Sequence, residues 1–150
     1  MIEARATATL PVPAEEAFSA ATDLERADWL PAVRGVHRLE GSPIGVGARF
    51  TVEVGVLGRH LNGVLVCREM DPPRRARYVL EEGIDLTIVI AVAPTSGGCT
   101  LELTATYSVD AGPLSLAVER ASAGPARREV ARAVEQFAAR FGRKAGQAAG

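Results

Sequence analysis

The chain has 150 residues, the size of one domain that can bury a real core, with 47% hydrophobic and 23% charged residues. Its formal net charge is −1, so no global field favours nucleic acid or an anionic membrane surface. Two cysteines, Cys67 and Cys99, lie too far apart to make a disulfide scaffold, and a reducing cytoplasm is the simplest reading.

The N-terminus, Met1-Ile2-Glu3-Ala4-Arg5, has no basic region leading into an apolar core, so it does not read as a secretory leader. The longest greasy stretch, Leu86 to Ala93, is too short to span a bilayer. Ile2, Ala4, Ala6, Ala8 and Leu10 alternate with polar residues, the period-two pattern of a half-buried strand. Pro11-Val12-Pro13 stops it, and Pro13 suits the first position of a helix whose first turn carries Glu15 and Glu16. Ala17, Phe18 and Ala21 form the apolar side of that helix. Asp23 caps a second short helix, Leu24 to Leu30, which ends before Pro31.

Val33 to Glu40 reads as a weaker strand, and Gly41-Ser42-Pro43-Ile44-Gly45 as a loop. Phe50, Val52, Val54 and Val56 alternate along the next strand, which turns at Leu57-Gly58 and returns as Arg59 to Met70. That turn pairs Val54 with Leu61, Val52 with Gly63 and Phe50 with Leu65 on one side of the sheet. Asp71-Pro72-Pro73-Arg74 turns the chain into Arg77 to Glu81, and Glu82-Gly83 into Asp85 to Ala93. The latter strand is apolar on both faces, so its register is unreadable. After Thr95-Ser96-Gly97-Gly98 the last strand alternates Leu101, Leu103, Ala105, Tyr107 and Val109 with threonines and Glu102.

Pro113 to Phe141 is amphipathic at the helical period. Leu114, Ala117, Val118 and Ala121 share one face before Gly124-Pro125, and Val130, Val134, Phe137 and Phe141 share one after it. Proline inside a helix removes a hydrogen bond, so a kink or break is expected there. Short connections make sequential strands neighbours. The class is therefore α+β: one antiparallel sheet of about seven strands, two short helices after the first strand and a long C-terminal helix covering the sheet. Residues 1–142 form the single domain and 143–150 a flexible tail.

Several stretches in this order resemble the START/Bet v 1-like superfamily and its polyketide cyclase/dehydrase-like branch. They are Leu10-Pro11-Val12-Pro13-Ala14-Glu15-Glu16-Ala17-Phe18, Thr22-Asp23-Leu24-Glu25, Trp29-Leu30-Pro31-Ala32-Val33, Val46-Gly47-Ala48-Arg49-Phe50, Asp71-Pro72-Pro73-Arg74 and Gly97-Gly98-Cys99-Thr100-Leu101. The resemblance implies the helix-grip fold, a curved sheet wrapped around the last helix, with a cavity for a lipid-like or aromatic molecule. It carries no universal catalytic motif.

Signatures of dinucleotide, phosphate, zinc-protease or serine-hydrolase sites are absent from the sequence. No cofactor and no metal are expected, since His37 and His60 are the only histidines. By strict alternation His37 falls with Val33 and Leu39 on the inner face, which makes it the candidate catalytic residue. Cys67, Tyr78 and Tyr107 are the other polar candidates for the pocket; for these three and for His37 the commoner role of such a side chain is structural, as a hydrogen-bonded group or a small hydrophobe. Phe50, Val52, Val54, Leu65, Leu103, Ala121 and Val134 are its expected apolar lining, and Trp29 either walls an entrance or belongs to the core. Glu53 and Glu102 should face water. The arginine clusters 74, 75, 77 and 127, 128, 132 read as solvated faces rather than nucleic-acid sites.

Three functions stay open. The first is binding of a hydrophobic small molecule between the sheet and the C-terminal helix. The second is a cyclase or dehydratase that folds a polyketide-like substrate in that cavity, against which the 5% aromatic content counts modestly. The third is an interaction module with a filled core. No integral membrane association is expected, and the protein is a monomer or homodimer.

Overall fold

The computed structural model describes residues 1–26, 29–30, 33–56, 59–81, 85–108 and 112–149, without the side chains of 34, 54–56, 59, 61, 115–116, 119 and 142–149. The expected turns at Leu57-Gly58 and Glu82-Gly83, the stop at Pro31 and the strand end at Val109 lie outside these residues.

Strand β1 (Ile2–Leu10) is followed by helix α1 (Ala14–Thr22) and a single 3-10 turn, Leu24–Arg26. The strands β2 (Val33–Arg38), β3 (Arg49–Val56), β4 (Arg59–Asp71), β5 (Arg75–Glu81), β6 (Asp85–Thr95) and β7 (Gly98–Ser108) come next. A 3-10 turn at Gly112–Leu114 leads into helix α2 (Ser115–Ala149). The seven strands form one antiparallel sheet in the order β1-β7-β6-β5-β4-β3-β2, so every hairpin pairs with its sequence neighbour and β1 closes onto β7. This is the α+β helix-grip fold.

The β3–β4 register is the expected one: Phe50 opposes Leu65, Val52 opposes Gly63 and Val54 opposes Leu61. The doubly apolar strand β6 takes its register from both neighbours, with Ile90 opposite Leu103 and Ala76, and Val92 opposite Leu101. Those residues form the covered face, and Ile90 and Leu101 are buried. The turn before β7 needs glycine at 98, because a Cβ there would overlap the Leu10 carbonyl oxygen.

Helix α1 starts at Pro13, whose carbonyl accepts from the Glu16 and Ala17 amides, and it buries Ala14, Ala17, Phe18 and Ala21. That stripe packs on β6 and β7. Helix α2 lies mainly along β1 and β7. Val130, Val134, Phe137 and Phe141 are buried as the spacing predicts.

The first half of α2 departs from expectation. Leu114 is 64% exposed, Ala117 and Ala121 are exposed, and Ser122 is buried instead. The helix runs without a break through Gly124-Pro125, so its phase carries across. The positions in register with Val130 and Val134 are then Ser122, Ala123 and Ala126, not the set read by restarting the count at Pro125. Pro125 withdraws the hydrogen bond to the Ala121 carbonyl, and both residues sit on the solvent side, where that carbonyl is not forced into the core.

Candidate functional site

The sheet has a covered and an outer face, and on β2 and β3 the faces do not follow simple alternation. Arg34 opposes Glu53, and the next pairs are His37 with Thr51 and Arg38 with Phe50. Gly35 and Val36 together therefore oppose Val52, which is a β-bulge, and Gly35 takes the positive φ of 55° that such a kink uses. The extra residue flips the parity beyond it. His37 stands exposed on the outer face beside Thr51, whose hydroxyl donates to the His37 carbonyl, and Arg38 moves to the covered face across from Phe50. The inner position expected for His37 is thus corrected by one added residue.

A second irregularity lies between Cys67 and Glu69, where Arg68 is the extra residue. It leaves both Cys67 and Met70 on the covered face and turns Glu69 outward, where it pairs with Arg75 and Arg77. Arg49 and Arg68 likewise share Glu81 on the outer face, and Arg74 pairs with Asp71. The first arginine cluster is therefore taken up by its own carboxylates.

These two bulges frame a cavity of about 510 Å³. Its floor is Phe50, Cys67, Met70 and Tyr78 from β3–β5, and its roof is a helical stripe of α1, Glu15, Phe18, Ser19 and Thr22. Arg38, Ile44, Gly45, Ala48 and the Pro72-Pro73 turn close the sides. The volume falls within the roughly 300–1,000 Å³ of small-molecule pockets. The cavity was expected between the sheet and the C-terminal helix, but no lining residue of this one comes from α2. The reason is packing: α2 is docked over β1 and β7, and the short, alanine-rich α1 spans the remaining opening.

The expected site residues separate accordingly. Phe50, Cys67 and Tyr78 line the cavity. Val52 is buried beside a separate hollow of about 380 Å³ at Gly35 and Gly63, where the missing side chains leave space. Val54 keeps its register with Val33 and Leu61, its side chain lying outside the described set. Leu65 and Leu103 are core, as is Val134. Trp29 is core as well, its ring 4.8 Å from that of Phe137. Tyr107 donates its hydroxyl to Ser122 Oγ at 2.7 Å and ties β7 to α2. Ala121 is exposed. Arg38, Glu15, Phe18 and Met70 were not foreseen as lining. An isolated glycine within the β2 pattern was the signal that would have exposed the bulge and with it Arg38.

Cys67 and Tyr78 are the buried polar groups of the cavity lining. The Cys67 thiol donates to the Glu69 carbonyl at 3.4 Å, and burial raises its pKa against that weaker lowering contact. Burial pushes the Tyr78 phenol far up, with the neighbouring Cys67 adding to the shift, so both groups stay neutral near pH 7. The Tyr78 ring meets Phe50 edge to face, and among the described residues its hydroxyl has no hydrogen-bond partner. Among the described residues no group of three or more His, Cys, Asp or Glu could hold a metal ion. No helix there is long and apolar enough to cross a membrane.

No curated protein matches the chain. A Thermus thermophilus protein of solved structure is similar, at 20% identity over 93% of this chain and 96% of that one, with a TM-score of 0.79. The Zhui aromatase/cyclase from Streptomyces sp. R1128 is similar at 16% identity over 95% and 94%, also with a TM-score of 0.79. The di-domain ARO/CYC StfQ of the steffimycin biosynthetic pathway matches at 13% identity over 97% of this chain and 52% of its own, with a TM-score of 0.73. At these identities the likenesses speak for the fold alone. Residues 1–145 match the family model described as polyketide cyclase/dehydrase and lipid transport, and the chain belongs to that family.

Proposed function

We propose that the protein binds a hydrophobic small molecule, lipid-like or aromatic, in the cavity between α1 and β3–β5. The observation that carries this reading is a hollow of about 510 Å³ floored by Phe50, Met70 and Tyr78, bordering the cluster of buried core side chains. Apolar ligand surface buried there contributes roughly 25 cal/mol per Å² before ordering costs. The mouth is greasy too: Ile44 is 88% exposed at its edge. Ser19 is an exposed α1 residue on the cavity wall, so Ser19→Trp fills the space without disturbing the core. Binding of Nile red, followed by fluorescence, should weaken by about tenfold or more in that variant, with stability changed by less than about 0.5 kcal/mol. Unaltered Nile red affinity in Ser19→Trp, or none in the parent protein, defeats the reading.

A second reading is a cyclase or dehydratase of polyketide-like substrates, as the family description and the two aromatase/cyclase likenesses suggest. What favours it is Tyr78: a neutral phenol with no partner among the described residues, facing an apolar hollow. Such a group donates a hydrogen bond to a substrate oxygen, stabilises negative charge that develops there and holds the chain in a folded pose. If turnover of an aromatic polyketide precursor is found, Tyr78→Phe should lower kcat about a hundredfold while leaving KM within a fewfold. Unchanged kcat removes the tyrosine from the chemistry.

A further inference from the structure

Eight arginines of this chain are committed to carboxylates. Arg5, Arg26, Arg49, Arg68, Arg74, Arg75, Arg77 and Arg132 each lie within 4.0 Å of a carboxylate oxygen. Arg38 is different. Among the described residues it has no carboxylate partner, and its guanidinium donates to the Ser42 carbonyl of the loop that borders the cavity. That bond uses one of five N–H donors of an exposed side chain and leaves the others open to a ligand. The bulge at Gly35–Val36 is what delivers this cation to the covered face, opposite Phe50 and on the wall of the hollow. Glu15, on the α1 stripe, is the one carboxylate that lines the same space.

A cation fixed at the lip of an apolar hollow sorts ligands by their polar end. A neutral apolar molecule fills the floor but leaves the guanidinium in water. A molecule with an apolar body and an anionic end fills the floor and meets the fork, in the paired geometry that carboxylates accept. We propose that Arg38 is the specificity-determining anchor for the carboxylate of an amphipathic acid, whose apolar body lies on Phe18, Phe50, Met70 and Tyr78. This rests on the binding reading above and adds the chemical class of the ligand. The β2 bulge is on this view a functional device: without the added residue, His37 would face inward and Arg38 would face solvent.

The test compares decanoate with 1-decanol, two probes of equal chain length, by Nile red displacement at a pH where the acid is ionised. Three proteins are needed: the parent chain, Arg38→Gln, and Arg49→Gln as an outer-face control whose arginine pairs with Glu81. In Arg38→Gln the affinity for decanoate should fall about tenfold or more, while that for 1-decanol stays within about twofold. Arg49→Gln should alter neither. Equal loss for both probes in Arg38→Gln, or no loss for the acid, overturns the anchor while leaving the cavity reading intact. Failure of both probes to bind the parent chain overturns the cavity reading, and the anchor with it.

Discussion

Two buried tyrosines mark two different halves of the same sheet face. Tyr107 lies on β7 under α2, with its hydroxyl bonded to Ser122, and further along the same helix Trp29, Phe137 and Phe141 meet in tilted and edge-to-face contacts. Tyr78 lies on β5 under α1, and its hydroxyl faces a hollow. The difference comes from the helix above each. Helix α2 brings Val130, Val134, Phe137 and Phe141 down onto the sheet and fills the space. Helix α1 brings mostly alanines, so Ala14, Ala17 and Ala21 hold it close to β6 and β7 while its other side spans a gap. The first half is packed with large side chains, and the second leaves the hollow in which we propose a guest binds.

That division is open to attack from several directions. The largest effect is expected from Phe137→Ala, which removes a fully buried ring that touches Trp29 and Phe141. It should cost about 3–5 kcal/mol in denaturant unfolding. If the halves are separable, the molecules that remain folded should still take up Nile red with near-parental affinity, and loss of that uptake in proportion to more than the unfolded fraction would merge the two regions into one.

A smaller effect sharpens the contrast between the tyrosines. Tyr107→Phe removes the hydroxyl that donates to Ser122 and should lower stability by about 1 kcal/mol. Tyr78→Phe removes a hydroxyl with no described partner and should leave stability unchanged or raise it slightly. Equal losses in thermal unfolding of the two variants would mean that the Tyr78 hydroxyl is as well bonded as that of Tyr107.

The smallest effect is in the alkaline limb. Burial raises the pKa of Cys67 and of Cys99, from an ordinary thiol value of 9.0. The folded protein then keeps protons that the unfolded chain releases. The stabilisation is whole below the unfolded thiol pKa and is lost as pH climbs through that value toward the raised folded one. Urea midpoints should therefore fall above about pH 9, and Cys67→Ala combined with Cys99→Ala should flatten that fall. A slope identical to the parent's would place the alkaline loss elsewhere.

Much of this architecture is legible in residues that repeat a period. The alternation of β1, β3 and β7, the partner pairs Phe50–Leu65 and Val54–Leu61, and the stripe Val130–Val134–Phe137–Phe141 all follow from side-chain periodicity, which one face of burial selects strongly. The cavity was less legible, because its boundary depends on places where the period shifts. One residue added at Gly35–Val36 exchanged His37 for Arg38. One proline that leaves the helix unbroken moved the buried stripe from Ala121 to Ser122. Glycine in a strand and proline in a helix announce that something changes, but each admits more than one outcome.

By itself, then, the order of amino acids determined the class of fold, the neighbours of each strand and which end of the last helix is greasy, because those rest on local repeats and short connections. Only the packed structure decided where the hollow lies and which charge looks into it. Those depend on which helix covers which strands and on the parity of a strand after its bulge, and both are settled by contacts between residues far apart in the chain.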